Sequence, residues 1–345
     1  MKIYKTNDNG KEIFTYKIYY YDNKNKKTKF NSNKIDELKN KLLISSIKKN
    51  NTTFNNQGIK EIDKREMTKK FVDLIENIQR LSQIINRLFE AGYPFIDNLK
   101  LRIKDSEAFE VKNPNNNLKI IMESYHNIIK DYNNMISEGY QKYPLLRLFY
   151  GKNFYQLFLK VIHQNVNIYH LLSSVSLNKI IHDIDFVYDK NKNFIENIND
   201  YLTILFNKNN INLEDIYQQN EISRDLEVTP GLYSIEKNFS KNELNVNILN
   251  LFLNLTGKAP ITNTLLFCNE ETNIEEIKSF FFRSIFCENK TLFVISNLEL
   301  LQLSIKQSAI NLLDSIYGFK KGKIKSILIF LYESEDSGLK KKYRN

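Results

Sequence analysis

The residues with chemistry to offer are the thiols Cys268 and Cys287, the histidines His163, His170 and His182, the pairs Gly257-Lys258 and Gly322-Lys323, and the carboxylates Glu270, Glu271, Glu275 and Glu276. A phosphate-binding loop needs GxxxxGK[ST] between a strand and a helix, so that bare backbone and one lysine wrap the phosphates. Gly257-Lys258 comes before a strand, with Pro260 close behind. Gly318, Gly322 and Lys323 fall one residue short of the spacing and carry Ile324 where a hydroxyl belongs. They also lie between a helix and a strand, the wrong order. The turn Asn269-Glu270-Glu271-Thr272 has the right order, an apolar run from Thr264 to Cys268 before it and a helical pattern after it. It has no glycine. Thr272 and Glu275 have the spacing of a capping box, which accounts for the stretch as helix-start chemistry. The amides of a helix start attract anions, but the neighbouring carboxylates already supply negative charge and would repel phosphate.

The other candidates are weaker. The strand "LFVIS" ends in Ser296-Asn297 where a metal-binding motif would finish on an acid, and Glu299 falls inside the next helix. Cys268 and Cys287 fit no zinc spacing, and a finger needs several Cys/His ligands. His163 and His170 could share a helix face, and His182 stands beside Asp183 and Asp185, but neither set has metal-ligand spacing. The expectation is therefore no catalytic, cofactor-binding or metal-ligating residue in this chain. One rule keeps an alternative open. Ligands of open α/β sheets bind outside the carboxyl ends of the strands, where Asn269, Glu270 and Asn297 would line a crevice if the chain were an enzyme of another kind. A further alternative is a stand-alone helical adaptor that recruits partners through its N-terminal part.

These residues must be positioned by two kinds of texture. Residues 1–34 read as a short β or irregular segment, with a strand or hairpin in "KEIFTYKIYYYDNKNKKTKFN". Residues 35–227 read as a helical, stalk-like region. Ile35, Leu38, Leu42 and Leu43 share a face, and a polar loop "KKNNTTFNNQG" follows. Phe71, Leu74, Ile75, Ile78, Leu81, Ile85 and Leu88 recur at helical steps until Gly92 and Pro94 end the pattern. Further helical segments are expected at about 117–137, 145–174 and 193–206, with breaks at "VKNPNNN" and "YDKNKN". Residues 228–260 read as a connector with a short helix, stopped by Gly257 and Pro260. Residues 261–335 then alternate strand and helix: "TLLFC", helix 273–287, "TLFVIS", helix 298–317, "SILIFLY". Apolar runs separated by amphipathic helices signal a parallel sheet with both faces covered. Leu265, Leu266, Phe267, Leu292, Phe293, Val294, Ile327, Leu328 and Ile329 are its expected core. Residues 336–345 form a basic tail. The fold class is α+β, a mainly helical N-terminal two-thirds followed by an α/β half-domain.

Composition narrows the function classes. The chain has 345 residues, 42% hydrophobic and 26% charged, within globular norms. Tryptophan is absent and Phe, Tyr, Asn and Lys are abundant, which reads as the codon usage of an AT-rich genome. The net charge of +10 is spread along the whole chain and interleaved with acids, so no nucleic-acid partner is expected. No apolar run approaches the roughly 20 residues that span a bilayer, so no transmembrane segment is expected. The N-terminus "MKIYKTNDNGKEIF" is polar and charged, unlike a signal peptide. A cytoplasmic location with reduced thiols is the simplest expectation.

Several stretches carry a family resemblance. "LNLFLNLTGKAPITNTLLFCNEETNIEEIKSFFFRSIFC" followed by "LFVISNLELL" resembles the mysterin-like giant AAA+ RING-type E3 ubiquitin ligases, with their dynein-like organisation. "LKNKLLISS", "FVDLIENIQRLSQIINRLFEAGYP" and "YPLLRLFYGKNF" are similar to that family's helical region upstream of its ATP-binding modules. The resemblance spans roughly residues 35 to 334. It implies an AAA-like unit of degenerate type and, in other parts of such a protein, ATP, Mg and Zn chemistry and ubiquitin transfer. None of the family's catalytic residues has a matching position here, so no cofactor is expected in this chain. The resemblance further implies adjacent AAA+ modules and the ubiquitination machinery as partners, a cytoplasmic setting with lipid-droplet association, and a chain that is a piece of a larger machine.

Overall fold

The computed structural model describes residues 2–8, 11–21, 27–49, 58–99, 114–163, 167–173, 182–223, 225–236, 243–320 and 322–332. The chain divides into two compact units, Met1–Asn133 and Asn134–Asn345.

In the first unit β1 (Lys2–Asp8), β2 (Lys11–Tyr21) and β3 (Lys27–Asn31) form an antiparallel sheet in that order. β1 was not foreseen, because its charges mask the alternation that buries Ile3 opposite Tyr16. The sheet is followed by α1 (Ser32–Lys49) and α2 (Gly58–Glu90). Two side chains of α2 fix β2 by its backbone. Asn86 accepts from the Phe14 amide at 2.6 Å and donates to the Phe14 carbonyl at 2.7 Å, and Ser82 donates to the same carbonyl. The helical stripe behaves as its period requires: Ile75, Ile78, Leu81, Ile85 and Leu88 are buried, and Gly92 takes the left-handed φ of 80° beyond the helix end. On α1, Ile35 is buried, whereas Leu38 is 39% exposed. Most of the polar loop expected after α1 lies outside the described residues. α3 (Pro114–Lys142) starts inside the expected break, with Pro114 at the first helical position, where its missing N–H costs nothing. The second unit begins within this helix.

There the helix expected at 145–174 is interrupted. A 3₁₀ turn at Pro144–Leu148 leads to Gly151, whose φ of 50° an L side chain rarely adopts. Helices α4 (Lys152–His163) and α5 (Ile168–Ser173) follow. α6 (Phe194–Lys208) opens on a capping box between Asn193 and Glu196, after the anticipated break at "YDKNKN". A short α7 (Leu213–Gln218) precedes the sheet.

The sheet has four parallel strands, β4 (Gly231–Glu236), β5 (Leu265–Phe267), β6 (Leu292–Ser296) and β7 (Ile327–Tyr332), in the order β4-β7-β6-β5. Three of these were anticipated. β4 occupies the stretch read as a connection, because Pro230 and Gly231 look like a turn while Leu232 to Glu236 pair with β7. The connecting helices are α8 (Leu244–Thr256), α9 (Ile274–Ile285) and α10 (Leu303–Lys320), the last starting after a separate 3₁₀ turn at Leu298–Leu300. Alternation puts Leu292, Val294, Ile327, Ile329 and Leu331 on one face with Ile248 and Phe252 of α8. Phe293 and Phe330 point the other way, onto Phe280 and Phe281 of α9 with ring centroids 5.9 and 6.2 Å apart. Of the expected core, Leu266 and the six residues on β6 and β7 are buried. Leu265 is only half-buried and Phe267 is 39% exposed, because β5 is the sheet's edge strand.

Candidate functional site

The carboxylate-rich turn between β5 and α9 closes on itself. The Asn269 amide donates to Thr272 Oγ1, the Glu271 amide to Asn269 Oδ1, and the Thr272 amide to the Asn269 carbonyl. The helix cap is Asn273, whose side chain accepts from the Glu276 amide at 2.9 Å. The cap is thus one residue later than the Thr272–Glu275 spacing suggested. Both pairs satisfy the motif, and Thr272 is spent on the preceding turn. The amides of Asn269, Glu271, Thr272 and Glu276 are therefore held within the turn and its cap. The carboxylates also divide. Glu270 and Glu271 are exposed, whereas burial raises the pKa of Glu275, with Lys278 beside it opposing the rise. Burial also raises that of Glu276, opposed by the Tyr150 hydroxyl and by Arg283.

Asn297 sits on the neighbouring strand end in a left-handed conformation with φ 63°, and the Cys268 amide donates to the Ser296 carbonyl, joining the two strand ends. The nominated residues Asn269, Glu270 and Asn297 thus follow adjacent strands. The strand order places the crevice of such a sheet elsewhere, however. The chain leaves β4, passes over two strands to reach the far edge at β5, and then returns strand by strand to β7. Ligands of open α/β sheets bind where the winding reverses, here at the carboxyl ends of β4 and β7. A phosphate loop belongs between β4 and α8. That connection, residues 237–242, lies outside the described residues, and its sequence Lys237-Asn238-Phe239-Ser240-Lys241-Asn242 contains no glycine.

A different cluster is built inside the unit. The Arg147 guanidinium is buried and donates only to carbonyls: Tyr140 and Gln141 in the last turn of α3, and Phe286 just past the end of α9. A cation at two helix C-termini complements both dipoles. The Arg147 carbonyl in turn accepts from Ser279 Oγ at 2.8 Å and Arg283 Nη1 at 2.9 Å. Arg283 is buried, and its Nε has no hydrogen-bond partner. Arg283 lines a cavity of about 330 Å³ with Tyr150, Glu276, Thr262, Asn263 and the edge strand β5. Tyr150 donates to Glu276 Oε1 at 3.2 Å, and burial together with that carboxylate pushes the phenol up to about 12. Asn220 holds the loop that forms one wall, donating to the Ala259 carbonyl and accepting from the Ile261 amide and the Thr264 hydroxyl.

Reading the sequence missed Arg147, Tyr150, Asn220, Glu276 and Arg283 as a set. The available signal was an arginine inside an aromatic run, "SFFFRSIF", because a charge placed there must find polar partners. The histidines do not converge. His163 and His182 are exposed, and the His170 side chain lies outside the described residues. Asp183 pairs instead with Lys160 and Tyr201. No group of three or more His, Cys, Asp or Glu side chains is arranged to hold a metal among the described residues. Cys268 and Cys287 are both buried. No helix among the described residues is long and apolar enough to cross a membrane.

No curated protein matches the chain. Residues 239–344 match the family model of the RNF213 AAA domain, a stretch that takes in α8 and the three strands β5, β6 and β7. The part of the parallel sheet from β5 to β7, with its covering helices, is thus similar to the AAA domain of RNF213, which supports a mysterin-like AAA module over residues 239–344.

Proposed function

We propose that this module is a nucleotide-silent, architectural AAA unit of a mysterin-like ubiquitin ligase, one that positions neighbouring ATP-hydrolysing modules and does no chemistry of its own. The observation that carries the reading is the sequence of the β4–α8 connection. A phosphate loop needs glycines there so that backbone can approach the phosphates, and the chain has none between Gly231 and Gly257. Lys241 is followed by Asn242, where the metal-binding hydroxyl would stand. The end of β6 agrees. Ser296 is buried and Asn297 takes the place of the acid that would hold magnesium. The residues present do not fit ATP and magnesium.

The mechanical role draws support from the second unit, in which helices from Asn134 onward and the sheet form one compact body. Arg147 joins the end of α3 to the end of α9, so a displacement of one is felt by the other. In this reading the partners are adjacent AAA+ modules, and ubiquitin transfer and zinc belong to other parts of the machine. Thermal melting with and without magnesium and ATP tests it. A ligand at a hundred times its Kd adds about 2.7 kcal/mol to stability, enough to move the transition visibly. The expected outcome is an unchanged melting temperature; a clear rise would overturn the reading.

A further inference from the structure

We infer that the cavity beside β5 is a binding site for a short free peptide of about three residues, held extended along the strand with its ammonium at Glu276 and its carboxylate at Arg283. The assignment stands apart from the nucleotide reading. Parallel strands bond through alternate residues. The Thr264 carbonyl and the Cys268 amide are spent on Val294 and Ser296 of β6, so Leu265 and Phe267 turn their backbone groups to the sheet's open edge, along which the cavity runs. An extended segment can add to such an edge.

Charge sets the occupant and its direction. Glu276 and Arg283 lie seven residues apart on α9, two turns on one face, hence about 10 Å at 1.5 Å per residue. Three extended residues span the same length, at about 3.3 Å each. Glu276 and Arg283 attract one another and Tyr150 donates to Glu276, but burial outweighs this compensation. Arg283 keeps a buried Nε without a partner, and burial disfavours the charged forms of both Arg283 and Glu276. An occupant with one charge would relieve one end and oppose the other; a zwitterion relieves both. Leu148, Pro260 and Ile261 offer apolar walls to its middle residue. α9 runs opposite to β5, so the peptide lies antiparallel to the strand. The cavity volume falls within the range of small-ligand sites.

Calorimetric titration of the full chain with trivaline, its N-acetyl form and its C-terminal amide tests this. Trivaline should bind about tenfold more tightly than either capped form. R283Q should erase the preference for the free carboxylate but keep that for the free amine, and E276Q should do the converse, with melting temperatures showing that each variant is folded. If a variant does not fold, the three titrations of the unaltered chain decide alone. Equal binding of all three forms, or no binding of any at millimolar concentration, would overturn the assignment, as would variants that melt normally yet keep both preferences.

Discussion

α8 and α9 cover opposite faces of the same sheet, yet they are treated differently by the rest of the chain. α9 is buried without interruption from Ile277 to Ile285, charged Lys278 and Arg283 included, between the sheet, α10 and the 3₁₀ turn at Pro144–Leu148. α8 buries Leu244, Ile248 and Phe252 and leaves Val246, Leu249 and Leu253 exposed. The difference is one of surroundings and not of composition, since α9 carries the charges and α8 the more apolar sequence. One face of the sheet is therefore completed by helices from upstream of the family-matched stretch, and α8 forms the outer layer on the other.

The sharpest way to break this contrast is one truncation on each helix. Phe281→Ala on α9 opens a cavity against Phe330 and should cost about 3–5 kcal/mol in urea unfolding, whereas Leu249→Ala on α8 should stay within about 0.5 kcal/mol. Comparable losses would show that the two helices are not inner and outer.

Arg147→Leu should come next, at about 2–3 kcal/mol, because it strands the Tyr140, Gln141 and Phe286 carbonyls where α3 and α9 end. Its signature is a lowered urea midpoint with an unchanged slope. A neutral result would mean that the upstream helices are not tied to the module through this side chain.

The smallest effect sharpens the reading of the helix start. Asn273→Ala should cost about 1 kcal/mol, the worth of an N-cap, and should be visible in the same unfolding curves. No loss in that variant would return the cap to Thr272.

The same contrast explains what the sequence disclosed. The run "SFFFRSIF" has apolar residues on every side and announces an interior helix, and the alternating runs at β6 and β7 announce covered strands. β4 stayed hidden because only six residues, beginning with glycine after a proline, pair along one neighbour. Missing it moved the search for phosphate to the wrong turn, since strand order, which fixes the crevice, is not a local property. Phe267 reads as core because residue type cannot show that β5 ends the sheet. The cap was misplaced by one residue because Thr272–Glu275 and Asn273–Glu276 carry the same spacing, and only the hydrogen bonds of the turn choose between them. The cavity was out of reach: Tyr150, Glu276 and Arg283 meet only once the segment after the 3₁₀ turn is set against α9.

Equilibrium dialysis of the chain against labelled ATP with magnesium reads directly whether the proposed mysterin-like module holds nucleotide. A nucleotide-silent module leaves equal label on both sides of the membrane at protein concentrations of roughly tens of micromolar. Label concentrating with the protein, and displaced by unlabelled ATP, would contradict it.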